Sequence, residues 1–200
     1  MIKNKDVKGY IEKHSIEDMF TYVNIDEDAM DKISQEIKDD WGLDEYIHTL
    51  TLADAYTLVE KNEIDYSDID YDFCDWDEWA YKDFIHELVK KAEHYLVYLP
   101  NSTWRGSSGC GIVDTLEDAF CRGYDCTQYV KGVSKGNKAV LLRESHHDVP
   151  MGHHALIIAL TDKEYNKLEN ADFKTLEDFA LKYMYLETNK RELLKTIVNL

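Results

Sequence analysis

The sequence predicts an α+β protein: a helical, acidic first half, then a small, mostly antiparallel sheet of about four strands with flanking helices. Three observations carry this expectation. Apolar residues make up 44% of the 200 positions and there are only two prolines, which is enough to bury a core and argues against wholesale disorder. Apolar residues in the first half recur at helical spacing between capping residues. After Tyr95 the pattern shifts to short β-type runs, two of them flanking a Gly136-Asn137 turn signal. Segregated helices and strands with a hairpin belong to the α+β class.

The elements follow in order. Ser15 can cap a turn running through Met19 and Phe20. Asp26 can cap a helix carrying Met30, Ile33 and Ile37, with Gly42 as its stop. Leu43 to Val59 reads as one helix, or two broken near Thr51. Asp75-Trp76-Asp77-Glu78 resembles a capping box for a helix running through Phe84, Ile85 and Leu88 towards His94. Tyr95 to Leu99 is a strand ended by Pro100, followed by the glycine loop Gly106-Ser-Ser-Gly-Cys-Gly111. Asp114 and Glu117 suggest a capped helix ending at Gly123. Thr127 to Ser134 and Lys138 to Arg143 form a hairpin, and His154 to Leu160 a further strand. Thr161 to Asn170 and Thr175 to about Val198 are helical. The division expected is an acidic helical region over 1–94 and an α+β domain over 95–200, with a soft boundary that also allows one compact unit.

Charge is the strongest functional lead. The formal net charge is −17. From Met1 to His94 there are 26 acidic and 10 basic residues, a net of −16, and from Tyr95 to Leu200 there are 14 and 13, a net of −1. Such an excess repels nucleic acid and anionic lipid, so direct duplex DNA binding is not expected. The N-terminal MIKNKDVKGYIEKHS has no apolar h-region, and the longest aliphatic run, Ala155 to Leu160, is too short to span a bilayer. No membrane association and a cytoplasmic location are expected, with Cys74, Cys110, Cys121 and Cys126 as reduced thiols.

The densest charge lies in EIDYSDIDYDFCDWDE, residues 63–78. Eight of these sixteen are acidic: Glu63, Asp65, Asp68, Asp70, Asp72, Asp75, Asp77 and Glu78. Tyr66, Tyr71, Phe73 and Trp76 are interleaved, and no basic residue falls between Lys61 and Lys82. A calcium-binding EF-hand loop starting at Asp68 fails, because Phe73 and Trp79 stand where Gly and Glu are required. A solvated acidic face would give such a tract. So would a surface that imitates nucleic acid: closely spaced carboxylates fit a basic groove, and aromatics such as Tyr71 and Trp76 add anchoring area. Charge reversal at Asp68, Asp70 and Asp72 is the test that the sequence suggests.

In size, composition and charge pattern over roughly its first half, the chain resembles the small acidic anti-defence proteins of phages and mobile elements, the antirestriction and anti-CRISPR inhibitors. The resemblance implies a bacterial host cell, a basic nucleic-acid-binding partner such as a CRISPR effector nuclease or restriction enzyme, and inhibition by mimicry. It transfers no individual residue, and the near-neutral second half departs from inhibitors that are acidic throughout.

The alternative is an enzyme. Ser145-His-His-Asp-Val-Pro-Met-Gly-His-His154 gathers half of the eight histidines. His146, His147, Asp148, His153 and His154 can serve as acid and base in phosphodiester cleavage, or hold zinc or another divalent metal. Histidines in a β-connection that bond the backbone or face solvent are the plainer reading, and no cofactor is expected. The glycine loop has the G-x4-G spacing of a P-loop, but Ile112-Val113 replaces the required Lys-Ser/Thr. Cys110 or Ser108 served by a loop histidine is the remaining nucleophile, and a flexible turn is the plainer reading there.

Overall fold

The computed structural model describes residues 14–44, 46–102, 107–123, 128–144 and 154–184. The protein is α+β, with seven α-helices among the described residues and two antiparallel sheets. The chain divides into two compact units, Met1–Tyr81 and Lys82–Leu200. The first unit contains 23 acidic and 7 basic residues, a net of −16; the second contains 17 and 16, a net of −1.

The first unit opens with a 3-10 turn, Glu17–Met19. The Asp18 N–H donates to Ser15 Oγ (3.3 Å) and the Ser15 N–H to Asp18 Oδ2 (3.1 Å), so Ser15 bonds to the turn from one residue before its N-cap position, Ile16. Strand β1 (Thr21–Ile25) follows, then two short helices, α1 (Glu27–Met30) and α2 (Gln35–Trp41). One helix was expected here. Instead the chain breaks after Met30, and Gly42 ends α2 in the left-handed conformation, φ 68°. Strand β2 (Thr49–Thr51) leads into α3 (Leu52–Glu60), capped by Thr51. The break near Thr51 is thus a strand-to-helix junction. A 3-10 turn (Tyr66–Asp68) and strand β3 (Ile69–Trp76) complete the unit.

The helical first half therefore needs correcting: it contains a three-stranded sheet of order β2-β1-β3, all antiparallel. Val23 and Ile25 point from β1 to one face and are buried, together with Leu50, Leu58, Ile64 and Ile69. The signal in Thr21-Tyr-Val-Asn-Ile25 is genuine but short, and it sits between two helix caps. β3 is hidden by its carboxylates, a residue type depleted from strands.

Helix α4 (Glu78–Glu87) starts at Asp77, whose Oδ1 accepts the Ala80 N–H at 2.9 Å, so the cap lies two residues later than expected. The second unit contains a five-stranded antiparallel sheet, one strand more than expected. Its order is β5-β4-β8-β7-β6: β4 (His94–Ser102), β5 (Ser107–Val113), β6 (Gln128–Val133), β7 (Ala139–Glu144) and β8 (His154–Leu160). The additional strand is β5, which occupies most of the expected glycine loop and pairs Val97 with Gly111 and Leu99 with Gly109. Helix α5 (Leu116–Gly123) follows, capped by Thr115 rather than Asp114, with the Asp118 N–H on Thr115 Oγ1 at 3.0 Å. Between β6 and β7, Gly136 (φ 71°) and Asn137 (φ 53°) supply the left-handed turn that their residue types favour.

β8 is central, and all its residues from Ala155 to Leu160 are buried. This explains a purely aliphatic run in an antiparallel sheet: both faces are covered. On one face Leu156, Ile158 and Leu160 join Leu96, Leu141, Leu168, Leu176 and Ala180. Leu168 comes from α6 (Asp162–Leu168), Leu176 and Ala180 from α7 (Phe173–Ala180). No helix among the described residues is long and apolar enough to cross a membrane.

Candidate interaction surface

The acidic tract runs through the 3-10 turn, along β3 and into α4. Its carboxylates divide into two kinds. Several are committed to local structure. Glu63 Oε2 accepts the Ser34 N–H (2.7 Å), tying the segment to the start of α2. Asp68 accepts the Asp65 N–H (2.8 Å) and receives Lys32 Nζ on both oxygens, at 2.9 Å each. The backbone N–H of Asp65 first, and the Lys32 ammonium second, hold the Asp68 carboxyl below its ordinary range. Asp77 caps α4.

Asp70 does something less expected. β3 pairs Asp70 with Asn24 and Asp75 with Tyr22, so Val23 alone on β1 faces four residues, Tyr71 to Cys74. These four leave the ladder as a wide bulge on an outer strand. Asp70 Oδ1 accepts the N–H groups of Asp72 (3.0 Å) and Phe73 (3.3 Å), and the Cys74 thiol donates to the Tyr71 carbonyl (3.1 Å). Burial first, and the neighbouring Tyr71 side chain next, push the Tyr56 hydroxyl of α3 up to about 12. The Tyr66 ring meets Tyr56 edge-on, with centroids 6.1 Å apart. The bulge is therefore a projection whose backbone is held from inside by Asp70.

The second kind of carboxylate faces solvent: Asp65, Asp72 and Asp75 are exposed, although Asp65 also caps the 3-10 turn and Asp75 Oδ1 accepts the Trp76 N–H (2.8 Å), while Glu78 is half-buried at the start of α4. Beside them stand Tyr66 (62% exposed), Tyr71 (46%) and Phe73 (40%). Trp76 turns the other way. It is half-buried, with its ring 6.1 Å from Phe20 and 5.0 Å from Tyr81. The sequence points to Tyr71 and Trp76 as anchors, whereas Tyr66 and Phe73 are the rings exposed beside Tyr71 in this stretch. The bulge shifts the side-chain alternation, so the outward set cannot be read at period two.

The first unit also has an open cleft of about 370 Å³. Glu27, Asp31 and Asp44 line it together with Lys38, Tyr46 and His48.

Of the histidine loop, His146, His147, Asp148 and His153 lie outside the described residues. His154 begins β8, its Nε2 3.1 Å from Lys131 Nζ. Among the described residues no three His, Cys, Asp or Glu side chains are grouped to hold a metal. Ser107 to Val113 is strand rather than a loop opening a helix, so the strand–loop–helix setting for phosphate is absent there. The Cys110 thiol is pushed up to about 12, by burial and then by the Glu177 carboxylate. It is protonated at neutral pH and a weak nucleophile.

Comparison with protein-family models, with curated proteins and with solved structures gives no match to this chain.

Proposed function

We propose that this protein inhibits a basic nucleic-acid-binding protein, a CRISPR effector nuclease or restriction enzyme by class, by occupying its nucleic-acid groove with the acidic face of the first unit. The observation that carries the reading is the projection on β3. On it, on the adjoining strand and on the 3-10 turn before it, the exposed Asp65, Asp72 and Asp75 stand with Tyr66, Tyr71 and Phe73 on a unit of net charge −16. Carboxylates supply steering and register against a basic groove. Aromatics supply the desolvated anchor area in which binding energy concentrates.

The test uses the exposed carboxylates alone. The triple variant Asp65→Lys, Asp72→Lys, Asp75→Lys is compared with the wild-type chain in affinity capture from bacterial lysate, followed by nucleic-acid binding by whatever is captured. The wild-type chain is expected to retain a nucleic-acid-binding protein that an oligonucleotide displaces, and the folded triple variant to lose it. Retention by the folded triple variant, or a captured protein that still binds nucleic acid with this chain attached, would refute the proposal.

A further inference from the structure

We infer that the β3 projection selects arginine over lysine, so that the partner face it fits is one rich in guanidinium groups rather than in positive charge alone. The inference rests on the reading of this face as a partner surface and names the chemistry of that partner.

Three observations lead to it. First, the bulge combines the exposed rings of Tyr71 and Phe73 with the exposed Asp72, and the 3-10 turn that precedes β3 adds Tyr66 and Asp65. An ammonium needs only the carboxylates. A guanidinium uses both, because it is planar, stacks on a ring face and forks its donors onto a carboxylate. Second, the sequence supplies no lysine or arginine between Lys61 and Lys82. Lys32, which reaches the tract from elsewhere in the unit, is bonded to Asp68. Third, the backbone carrying Asp72 and Phe73 is already fixed, since both N–H groups are held by Asp70 Oδ1. A projection fixed before binding loses little entropy on contact, so the difference between stacking and non-stacking cations is expressed in affinity.

The experiment measures binding of oligoarginine and oligolysine peptides of equal length to the full chain, by calorimetry at moderate salt. Oligoarginine is expected to bind about five- to tenfold more tightly. In the variant Tyr66→Leu, Phe73→Leu, which keeps Tyr71 as one stacking ring, that ratio should fall by at least half, with oligolysine affinity unchanged. Phe73→Leu alone, at an exposed position, should lower the ratio partway and serves if the double variant melts early. Equal affinity for the two peptides in the wild-type chain overturns the inference. So does an arginine preference that stays undiminished in both variants. Oligonucleotide competition against the captured protein is read separately. If competition persists without arginine preference, only this inference falls; if arginine preference persists without competition, only the proposed inhibition falls.

Discussion

Two buried or bonded carboxylates of the first unit titrate in opposite directions, and their opposition can be measured. Asp68 is held below its ordinary range, so its contribution to stability is full above the unfolded value of about 4 and disappears as pH falls through its lower folded value. Asp54 is buried at the start of α3. Its burial outweighs the hydroxyl bond from Thr51 Oγ1 (2.7 Å) and raises its pKa. Its charged form opposes folding, and protonation relieves this as pH falls through the raised value. Asp68→Asn is therefore expected to be less stable than wild type at neutral pH and to lose less on acidification. Asp54→Asn is expected to be more stable at neutral pH, with the advantage vanishing on acidification. Thermal melts from pH 7 down to pH 3 check both signs. Reversing Asp68 and Asp70 to lysine confuses two effects, since Asp68 holds Lys32 and Asp70 holds the bulge. The exposed Asp65, Asp72 and Asp75 separate the effects better, but Asp65 caps the 3-10 turn and Asp75 holds the Trp76 N–H, so the melting temperature of the triple variant is read beside its binding.

The elements differ in how much of them the sequence made legible, and the difference has a physical pattern. β8 was read with its observed bounds because a six-residue aliphatic run reports burial on both faces by itself. The β6–β7 hairpin was legible because Gly136 and Asn137 are the residue types that accept positive φ. β3 and its bulge were not legible, because they depend on pairing with β1, some fifty residues away in sequence. The acidic tract is visible in the sequence as a segment. Which carboxylates face solvent and which bond the backbone is decided by that same distant pairing. The central position of β8 also predicts where stability concentrates. Leu156→Ala removes a fully buried side chain between two neighbouring strands. It should cost about 2–5 kcal/mol in denaturant unfolding. A cost below about 1 kcal/mol would contradict the packing described for this strand.

For the whole molecule, the division into units sharpens the charge asymmetry, since the entire −16 falls within Met1–Tyr81 and the rest is almost neutral. Self-repulsion at that density opposes folding and is screened over about 10 Å at 0.1 M salt. Added salt should therefore raise the melting temperature of the first unit while leaving the second nearly unchanged. Three of the four tryptophans, Trp41, Trp76 and Trp79, belong to the first unit. Tryptophan fluorescence in low and high salt consequently follows mainly the charged unit. A salt response equal in fluorescence and in backbone circular dichroism would count against a repulsion confined to the first unit.

The bulge on β3 has one more consequence. β3 is an outer strand, and an outer strand ordinarily offers its free N–H and C=O groups to the next strand that arrives, including one from another copy of the chain. Here four consecutive residues are lifted out of line, and Asp70, Asp72 and Asp75 set negative charge along the same margin. A second β3 would meet both a misfit in the ladder and like charge. The bulge and its charge thus close the margin to another copy of the chain, and protect a small sheet against growing into a fibril.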